Sequence, residues 1–185
     1  MALYPITQYG DKILRKIAQP VEAVDDEVVE IVRNMFSTMR NANGVGLAAN
    51  QVNLDKQIFV IDISVVEGYE HIKPIAMINP QIILQSDEKV IMDEGCLSLP
   101  TLRADVERAQ RIIVKYLSTA EKVEEIEADE FFARVILHEY DHLIGKMIPD
   151  RISENERKKI ALLLKRIQAR EVEIDYPITD LEVLK

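Results

Sequence analysis

The sequence HEYDH constrains the fold of this chain more than any other feature. It falls within residues 131–145, an apolar stretch that we predict to be one helix ending at Gly145. Residues four positions apart lie above one another on a helix, so His138 and His142 can bind a single metal ion. Glu139 then lies beside that ion, where a glutamate can accept a proton from bound water. This HExxH pattern is typical of metallohydrolases.

The spacing of the apolar residues supports an inward orientation of the two histidines. Steps of four, three and four positions join one helical row, which consists of Phe131, Val135, His138 and His142. The histidines therefore continue a stripe that faces the core. The remaining histidine, His71, lies in a polar stretch and is predicted to be a surface residue. The alternative is that two core histidines flank a solvated glutamate by coincidence.

A catalytic site of this kind needs a third protein ligand and one open position. Metzincins supply a further histidine at a fixed distance, but that position is Ile148 here, which excludes the class. A thermolysin-like site would use a glutamate from the next helix, for which Glu156 is a candidate. The other candidate is Cys96, the only cysteine, because a thiolate binds zinc or ferrous iron strongly. A lone cysteine is otherwise a small buried side chain, so both candidates stay open.

Three segments, taken in order, resemble the signatures of peptide deformylases, the bacterial and organellar enzymes that remove the formyl group from new N-termini. The first is GVGLAANQ at residues 44–51, the second is EGCLS at residues 94–98, and the third is HEYDH at residues 138–142. The family's opening also has a counterpart in GDKILR at residues 10–15. The resemblance therefore extends over nearly the whole chain.

The chain departs from the family pattern at two positions. Leu137 stands where glutamine is usual, and Asn50 stands where proline or threonine is more frequent. Leu137 is not a ligand position. We therefore expect it to change hydrogen bonding around the ligands and metal retention, while the class of reaction stays the same.

The resemblance implies one divalent ion with water in its fourth position, bound by Cys96, His138 and His142. The family's metal is ferrous iron, which zinc or nickel can replace. Glu139 would take a proton from the water as it attacks the formyl carbon, and would return it to the leaving amine. The backbone N–H of Leu97 and the amide of Gln51 would stabilise the oxyanion. The products are formate and a peptide with a free N-terminus.

The resemblance also implies a cleft for N-formyl-methionyl nascent peptides. Gly44 and Gly46 could be simple turn residues, but an extended backbone at these positions could pair with a bound peptide. Matching to the family assigns substrate binding to Gly44, Val45, Gly46, Glu94, Gly95, Arg103, Phe131, Arg134 and Val135. Two other functions remain as alternatives, an endopeptidase of the thermolysin type that depends on Glu156 and a structural metal module without catalysis.

The order of patterns predicts an α+β fold in which antiparallel strands pack around a central metal-binding helix, with a further helix near each end. The first helix follows Asp25, whose carboxylate suits a helix N-terminus. Strands are predicted in the middle of the chain, with Pro80 separating two of them, at residues 57–63, 75–79, 81–85, 111–117 and 123–126.

Composition fits one catalytic domain over residues 1–185. The chain is 48% hydrophobic, yet no apolar run approaches the length of a membrane span, which is about 20 residues. A single cysteine excludes an intramolecular disulfide, and the first residues lack the features of a signal or transit peptide. We therefore predict a cytoplasmic protein with no membrane and no disulfide partner.

Residues 151–170 form the predicted C-terminal helix, and this segment is basic. It has seven arginines and lysines against two glutamates, a net charge of +5, whereas the whole chain carries −9. The resemblance implies that this helix can dock on the ribosome, where its charge would suit RNA. A solvated amphipathic helix is the alternative. Acidic residues between positions 171 and 182 would neutralise part of the basic charge.

Overall fold

The computed structural model describes residues 2–181 and has the predicted α+β architecture. The helices in this part of the chain are α1 (Asp26–Asn41), α2 (Glu130–Leu143) and α3 (Glu154–Gln168). The strands are β1 (Gly46–Ala48), β2 (Ile58–Ile61), β3 (Ile75–Gln85), β4 (Lys89–Cys96), β5 (Leu99–Ala109), β6 (Arg111–Leu117) and β7 (Val123–Asp129). Short 3-10 turns occur at Lys12–Arg15, Ala49–Val52 and Ile148–Asp150.

The strands form two antiparallel sheets. The larger sheet has the order β1-β2-β3-β6-β7, and β4 pairs with β5 in a separate two-stranded sheet. Helix α2 contacts β1, β2, β6 and β7 of the larger sheet as well as β5 of the smaller one. Both sheets therefore cover the helix that carries the predicted metal ligands.

More of the surface of α2 is buried than the single apolar stripe that the spacing of its residues predicted. All six residues from Phe132 to Leu137 are buried, because protein covers more than one face of the helix. The helix ends before Gly145, which has a φ of +71°. A Cβ at Gly145 would lie 2.7 Å from the backbone oxygen of Arg15, so this close approach needs glycine.

The first predicted helix is confirmed as α1. The carboxylate of Asp25 accepts a hydrogen bond from the backbone N–H of Val28 at 2.9 Å, which caps the helix N-terminus. Val28, Met35 and Met39 are fully or almost fully buried in a cluster with residues of β2. The next chain segment, which contains the first family signature, begins directly after this helix.

The prediction that Pro80 separates two strands is wrong, because β3 runs without interruption from Ile75 to Gln85. Its pairing with β6 shifts register between Ile78 and Gln81, and Asn79 has a φ of +49°. Such an irregularity leaves a residue unpaired, and proline needs this because it has no N–H to donate. The Asn79 side chain also donates to and accepts from the backbone of Val21, at 2.8 Å in both cases.

The C-terminal helix is shorter than predicted. Helix α3 covers Glu154–Gln168, so Arg151 and Arg170 lie outside it, where they pair with Asp141 and Asp11 respectively. The five basic residues that remain on the helix are exposed, namely Arg157, Lys158, Lys159, Lys165 and Arg166.

The acidic segment that follows α3 does not neutralise the helix through ion pairs in the described part of the chain. No carboxylate between positions 171 and 181 forms a salt bridge with α3 there. The last acidic residue of the predicted segment, Glu182, lies outside the described residues. No helix among the described residues has the length and apolar character needed to cross a membrane.

Candidate active site

Three potential metal ligands converge where β4 meets α2. Cys96 is the last residue of β4, and His138 and His142 lie one turn apart on α2. Each residue offers one potential ligand atom, and these three atoms all lie within 4.8 Å of one another. The Sγ of Cys96 is 3.3 Å from Nε2 of His142. The structure therefore brings together the cysteine and both histidines that the sequence singled out.

The geometry and chemistry of this cluster fit one divalent metal ion. Tetrahedral coordination by sulfur and imidazole nitrogen places the ligand atoms about 3.5 Å apart, close to the separation of Cys96 from His142. The Nδ1 of His138 is hydrogen-bonded to Oε2 of Glu94 at 2.9 Å, which leaves Nε2 for a metal. Thiolate with imidazole is a donor set suited to zinc or iron.

A network of buried, charged side chains lies next to the potential metal ligands and contacts His138. Arg108 donates to both carboxylate oxygens of Glu94, at 2.6 and 3.0 Å, and to Asp141 at 2.7 Å. Arg134 donates to Glu94 at 2.8 Å, so this carboxylate holds two guanidinium groups and His138 together. The side chains of Glu94, Arg108, Asp141 and Arg134 are at most 5% exposed. These contacts fix the orientation of the His138 ring.

The network changes the pKa values of the groups that it contacts. Burial raises the pKa of Glu94, but the hydrogen bonds from His138 and Arg108 outweigh burial and hold that pKa well below its usual value. Burial lowers the pKa of His138, but its hydrogen bonds to Cys96 and Glu94 outweigh burial and hold that pKa well above its usual value. The pKa of His142 lies well below its usual value because of burial and then the charge of His138.

Glu139 faces the ligands from an enclosed position. It is buried, and its Oε2 has no hydrogen-bond partner among residues 2–181. Burial raises the pKa of Glu139 to about 7. Its carboxylate lies against Gly46, where an added Cβ would be 2.8 Å from the carboxyl carbon of Glu139. Glycine at this position thus lets β1 approach the carboxylate closely.

The side chain of Gln51 is oriented with its donor toward the same site. Gln51 lies in the 3-10 turn after β1, and its Oε1 accepts a hydrogen bond from the N–H of Ala48 at 2.8 Å. This leaves Nε2 facing the ligand cluster, 3.2 Å from Oγ of Ser98 and 3.5 Å from Sγ of Cys96. An amide N–H in this position can donate to a developing oxyanion.

A cleft of about 570 Å³ opens onto the cluster. All the site residues predicted from the resemblance line this cleft except His142, which lies beneath its surface. The lining includes Gly44, Val45, Gly46, Gln51, Glu94, Gly95, Cys96, Leu97, Arg103, Phe131, Arg134, Val135, His138 and Glu139. Residues 173–176, which follow α3, form a further part of the wall. No sequence pattern predicted that this segment would reach the cleft.

The thermolysin-like alternative is wrong. The carboxylate of Glu156 accepts hydrogen bonds from the backbone N–H and the hydroxyl of Ser153, at 3.0 and 2.8 Å, and so caps α3. In the described part of the chain, the group of residues that could hold a metal consists of Cys96, His138 and His142.

Both departures from the family pattern lie next to the ligands. Leu137 is buried, and its carbonyl oxygen lies 3.4 Å from a guanidinium nitrogen of Arg108. The side-chain amide of Asn50 donates to the carbonyl oxygen of His142. Asn50 therefore connects the first family signature to the second ligand histidine, a contact that proline could not make.

Arg108 is the main residue of the site that sequence reasoning missed. The sequence contained a signal for it. Side chains of a strand point alternately to its two faces, and Arg108 lies on the same buried face of β5 as Leu102 and Val106. A charged residue on the apolar face of a strand indicates a buried partner. Its partner Asp141 lies inside the HEYDH motif itself.

Comparisons with known proteins identify the family of the chain. The sequence model of the polypeptide deformylase family matches residues 3–158. A peptide deformylase from Prosthecochloris aestuarii is 39% identical over 181 residues, which are 97% of this chain and 96% of that protein. The structure of a peptide deformylase from Ehrlichia chaffeensis in complex with actinonin has a TM-score of 0.84 and 36% identity, and covers 94% of this chain and 100% of its own.

A peptide deformylase structure from Thermotoga maritima has 42% identity and a TM-score of 0.76, and covers 83% of this chain and 99% of its own. Likeness in sequence and in structure thus extends over most of the molecule. The chain therefore belongs to the polypeptide deformylase family, the hydrolases that remove the formyl group from the N-terminal formyl-methionine of new polypeptides.

Proposed function

We propose that the cleft hydrolyses the formyl amide of N-formyl-methionyl peptides through the residues that converge at its floor. The observation that carries this proposal is the convergence of Cys96, His138 and His142 with the buried carboxylate of Glu139 in one cleft. These residues form a single catalytic domain with the surrounding sheets. When bound, a divalent ion supplies a Lewis acid that activates water and polarises the formyl carbonyl.

Glu139 acts as the proton carrier of the reaction. Its Oε2 has no partner within residues 2–181, so it is available to accept a proton from the attacking water. It then gives this proton to the amine nitrogen as the bond to the formyl carbon breaks. The water oxygen leaves in formate, and the peptide leaves with a free amino group.

Gln51 and Leu97 stabilise the negative charge that develops on the formyl oxygen. The amide of Gln51 is held by the N–H of Ala48, so its Nε2 is preorganised as a donor. Leu97 follows Cys96 directly and lines the cleft, which supports a role for its backbone N–H as the second donor. Glu94 acts indirectly, since it orients the ring of His138.

The peptide substrate lies along Gly44, Val45 and Gly46, which line the cleft. Their backbone groups pair with the peptide backbone and so accept many sequences after methionine. Phe131, Val135 and the stem of Arg134, which line the cleft, supply the apolar pocket for the methionine side chain. Gly95 and Arg103 line the same cleft and bind other parts of the substrate.

The ion in the cell is ferrous iron, and zinc or nickel can take its place, because one thiolate and two imidazoles bind all three metals. Elemental analysis of protein purified without oxygen is the measurement. About one iron atom per chain is expected, and zinc alone under these conditions contradicts the assignment.

The decisive experiment is formate release from a formyl-Met tripeptide by metal-loaded protein. Glu139→Gln and Cys96→Ala are both expected to abolish release, the first by removing the proton acceptor and the second by removing a ligand. Glu156→Gln is the matched control, since Glu156 caps α3 and should not affect the reaction. Full activity in Cys96→Ala would contradict the ligand set.

The exposed basic face of α3 binds ribosomal RNA and brings the enzyme to nascent chains in the cytoplasm. Support comes from Arg157, Lys159 and Lys165, which are exposed and form no salt bridge in the described part of the chain. Replacing all three with glutamine should weaken co-sedimentation with ribosomes at low salt. The control replaces exposed lysines on other surfaces, namely Lys73, Lys115 and Lys122. Equal co-sedimentation of the two variants contradicts docking.

A further inference from the structure

The segment of residues 171–181, which we call the strap, returns from α3 across the molecule to the N-terminal segment. The backbone N–H of Ile6 donates to the carbonyl of Pro177 at 2.8 Å, and the N–H of Thr179 donates to the carbonyl of Ile6 at 3.1 Å. Exposed and more buried residues alternate from Glu171 to Ile178. The strap therefore runs as extended chain with one face against the protein.

A buried carboxylate fixes the strap at its far end. Asp11, which is 4% exposed, accepts hydrogen bonds from Arg170 at 2.6 Å and from the hydroxyl of Thr179 at 2.8 Å. The same carboxylate accepts from the backbone N–H of Gln8 at 2.8 Å. The strap and the N-terminal segment are thus joined through one side chain.

The strap reaches the reaction site through Tyr176. The hydroxyl of Tyr176 donates to the carbonyl oxygen of Leu97 at 2.7 Å, and Nε2 of Gln8 donates to the same oxygen at 3.2 Å. Two donors on one carbonyl restrict rotation of the backbone on the C-terminal side of Leu97. The N–H of Leu97, which we propose as a hydrogen-bond donor to the oxyanion, is in the same residue as this carbonyl.

We propose that Tyr176 is a positioning residue, which holds the backbone of Leu97 so that its N–H meets the formyl oxygen in the transition state. This inference rests on the proposed function of Leu97. The family model ends at residue 158, so Tyr176 lies beyond the segment that it describes. The donor is supplied by a segment 79 positions away along the chain.

Tyr176→Phe tests this inference because it removes only the hydroxyl. Loss of one preorganised hydrogen bond should lower kcat for a formyl-Met tripeptide about 5- to 10-fold. KM and inhibition by the deformylated product should stay within about 2-fold, since neither depends on transition-state charge. A purely structural role would change product binding or thermal stability together with kcat.

The matched control is Tyr116→Phe, whose hydroxyl bonds to Glu124 at 2.9 Å on β6 and β7, outside the cleft lining. This variant should keep its kcat. A second variant, Arg170→Gln, loosens the strap from Asp11 and should lower kcat in the same direction.

If Tyr176→Phe keeps its kcat while the unaltered enzyme releases formate, the positioning role is overturned and the proposed function stands. A rise in KM and in the product inhibition constant without a change in kcat also overturns it, since Tyr176 would then bind substrate. If the unaltered, metal-loaded enzyme releases no formate, the proposed function fails and this inference fails with it.

Discussion

Helices α2 and α3 both carry several charged side chains, but their surroundings are opposite. On α2, Arg134, Glu139 and Asp141 are buried between the two sheets. On α3, the basic side chains are exposed, and the ion pair within the helix, Lys158 with Glu154, is also exposed. The two helices therefore contain similar residue types in very different dielectric surroundings.

The difference separates charges that determine geometry from charges that determine association. A buried ion loses its hydration, so it must be paired with good geometry, and loss of one partner leaves the other uncompensated. An exposed ion keeps its hydration, and its pair contributes little to folding. The buried network around α2 therefore fixes the ring of His138, whereas α3 can present its charges to a partner. Three variants that step from buried to exposed pairs test this comparison.

The largest effect is expected for Arg108→Met. This change leaves the buried carboxylates of Glu94 and Asp141 without their shared cation, and should lower the free energy of unfolding by about 3–5 kcal/mol. Since Glu94 also orients His138, metal affinity should fall about 10- to 100-fold. Urea unfolding and metal titration measure the two effects.

The matched control for that change is Arg103→Met. Arg103 pairs with Asp93 at 2.5 Å, but the two side chains are 63% and 52% exposed, so the loss should stay below about 1 kcal/mol. Losses of equal size in the two variants would contradict the comparison between buried and exposed pairs.

An intermediate effect is expected for Asp62→Asn, because the Asp62 side chain is 7% exposed whereas its partner Arg40 is 57% exposed. Burial raises the pKa of Asp62, but hydrogen bonds from Ser64 and Arg40 outweigh it and hold that pKa below its usual value. The resulting stability is present above the unfolded-state pKa, about 3.9, and is lost as pH falls through the lower, folded pKa.

Replacement by asparagine should therefore cost about 1 kcal/mol at neutral pH and reduce the drop in stability on acidification. Thermal unfolding at neutral pH and at about pH 3 measures both effects. The control is Asp105→Asn, at an exposed position on β5, which should cost less than about 0.5 kcal/mol at neutral pH. An acid-side slope that is the same in Asp62→Asn and in the unaltered protein would show that the pair does not stabilise the fold.

The smallest effect is expected for Lys158→Gln. The pair with Glu154 has a separation of 2.8 Å and side chains that are 69% and 81% exposed. Its removal should lower the free energy of unfolding by less than about 0.5 kcal/mol, and the difference should disappear near about 1 M salt because of screening. Urea unfolding at low and high salt is the measurement, and a loss above about 1 kcal/mol would place this pair with the buried ones.

How much could be predicted from the sequence depended on whether the signal was local. The placement of His138 and His142 on one helix follows from a spacing of four residues, because helix geometry alone brings them together. The prediction that Pro80 separates two strands also used a local signal, but it was wrong because the effect of a proline on a strand depends on the neighbouring strand. A bulge that depends on pairing with β6 accommodates the proline, and this pairing is a property of the sheet.

By itself, the sequence determined the family, the α+β class and the candidate residues for the metal ligands and the proton acceptor, because short motifs and the helical period encode them. Only the tertiary structure decided that Arg108 joins Glu94 to Asp141 beneath the ligands and that Tyr176 reaches Leu97. These contacts connect residues far apart in the chain, and they form only when packing of the sheets and helices removes water from around them.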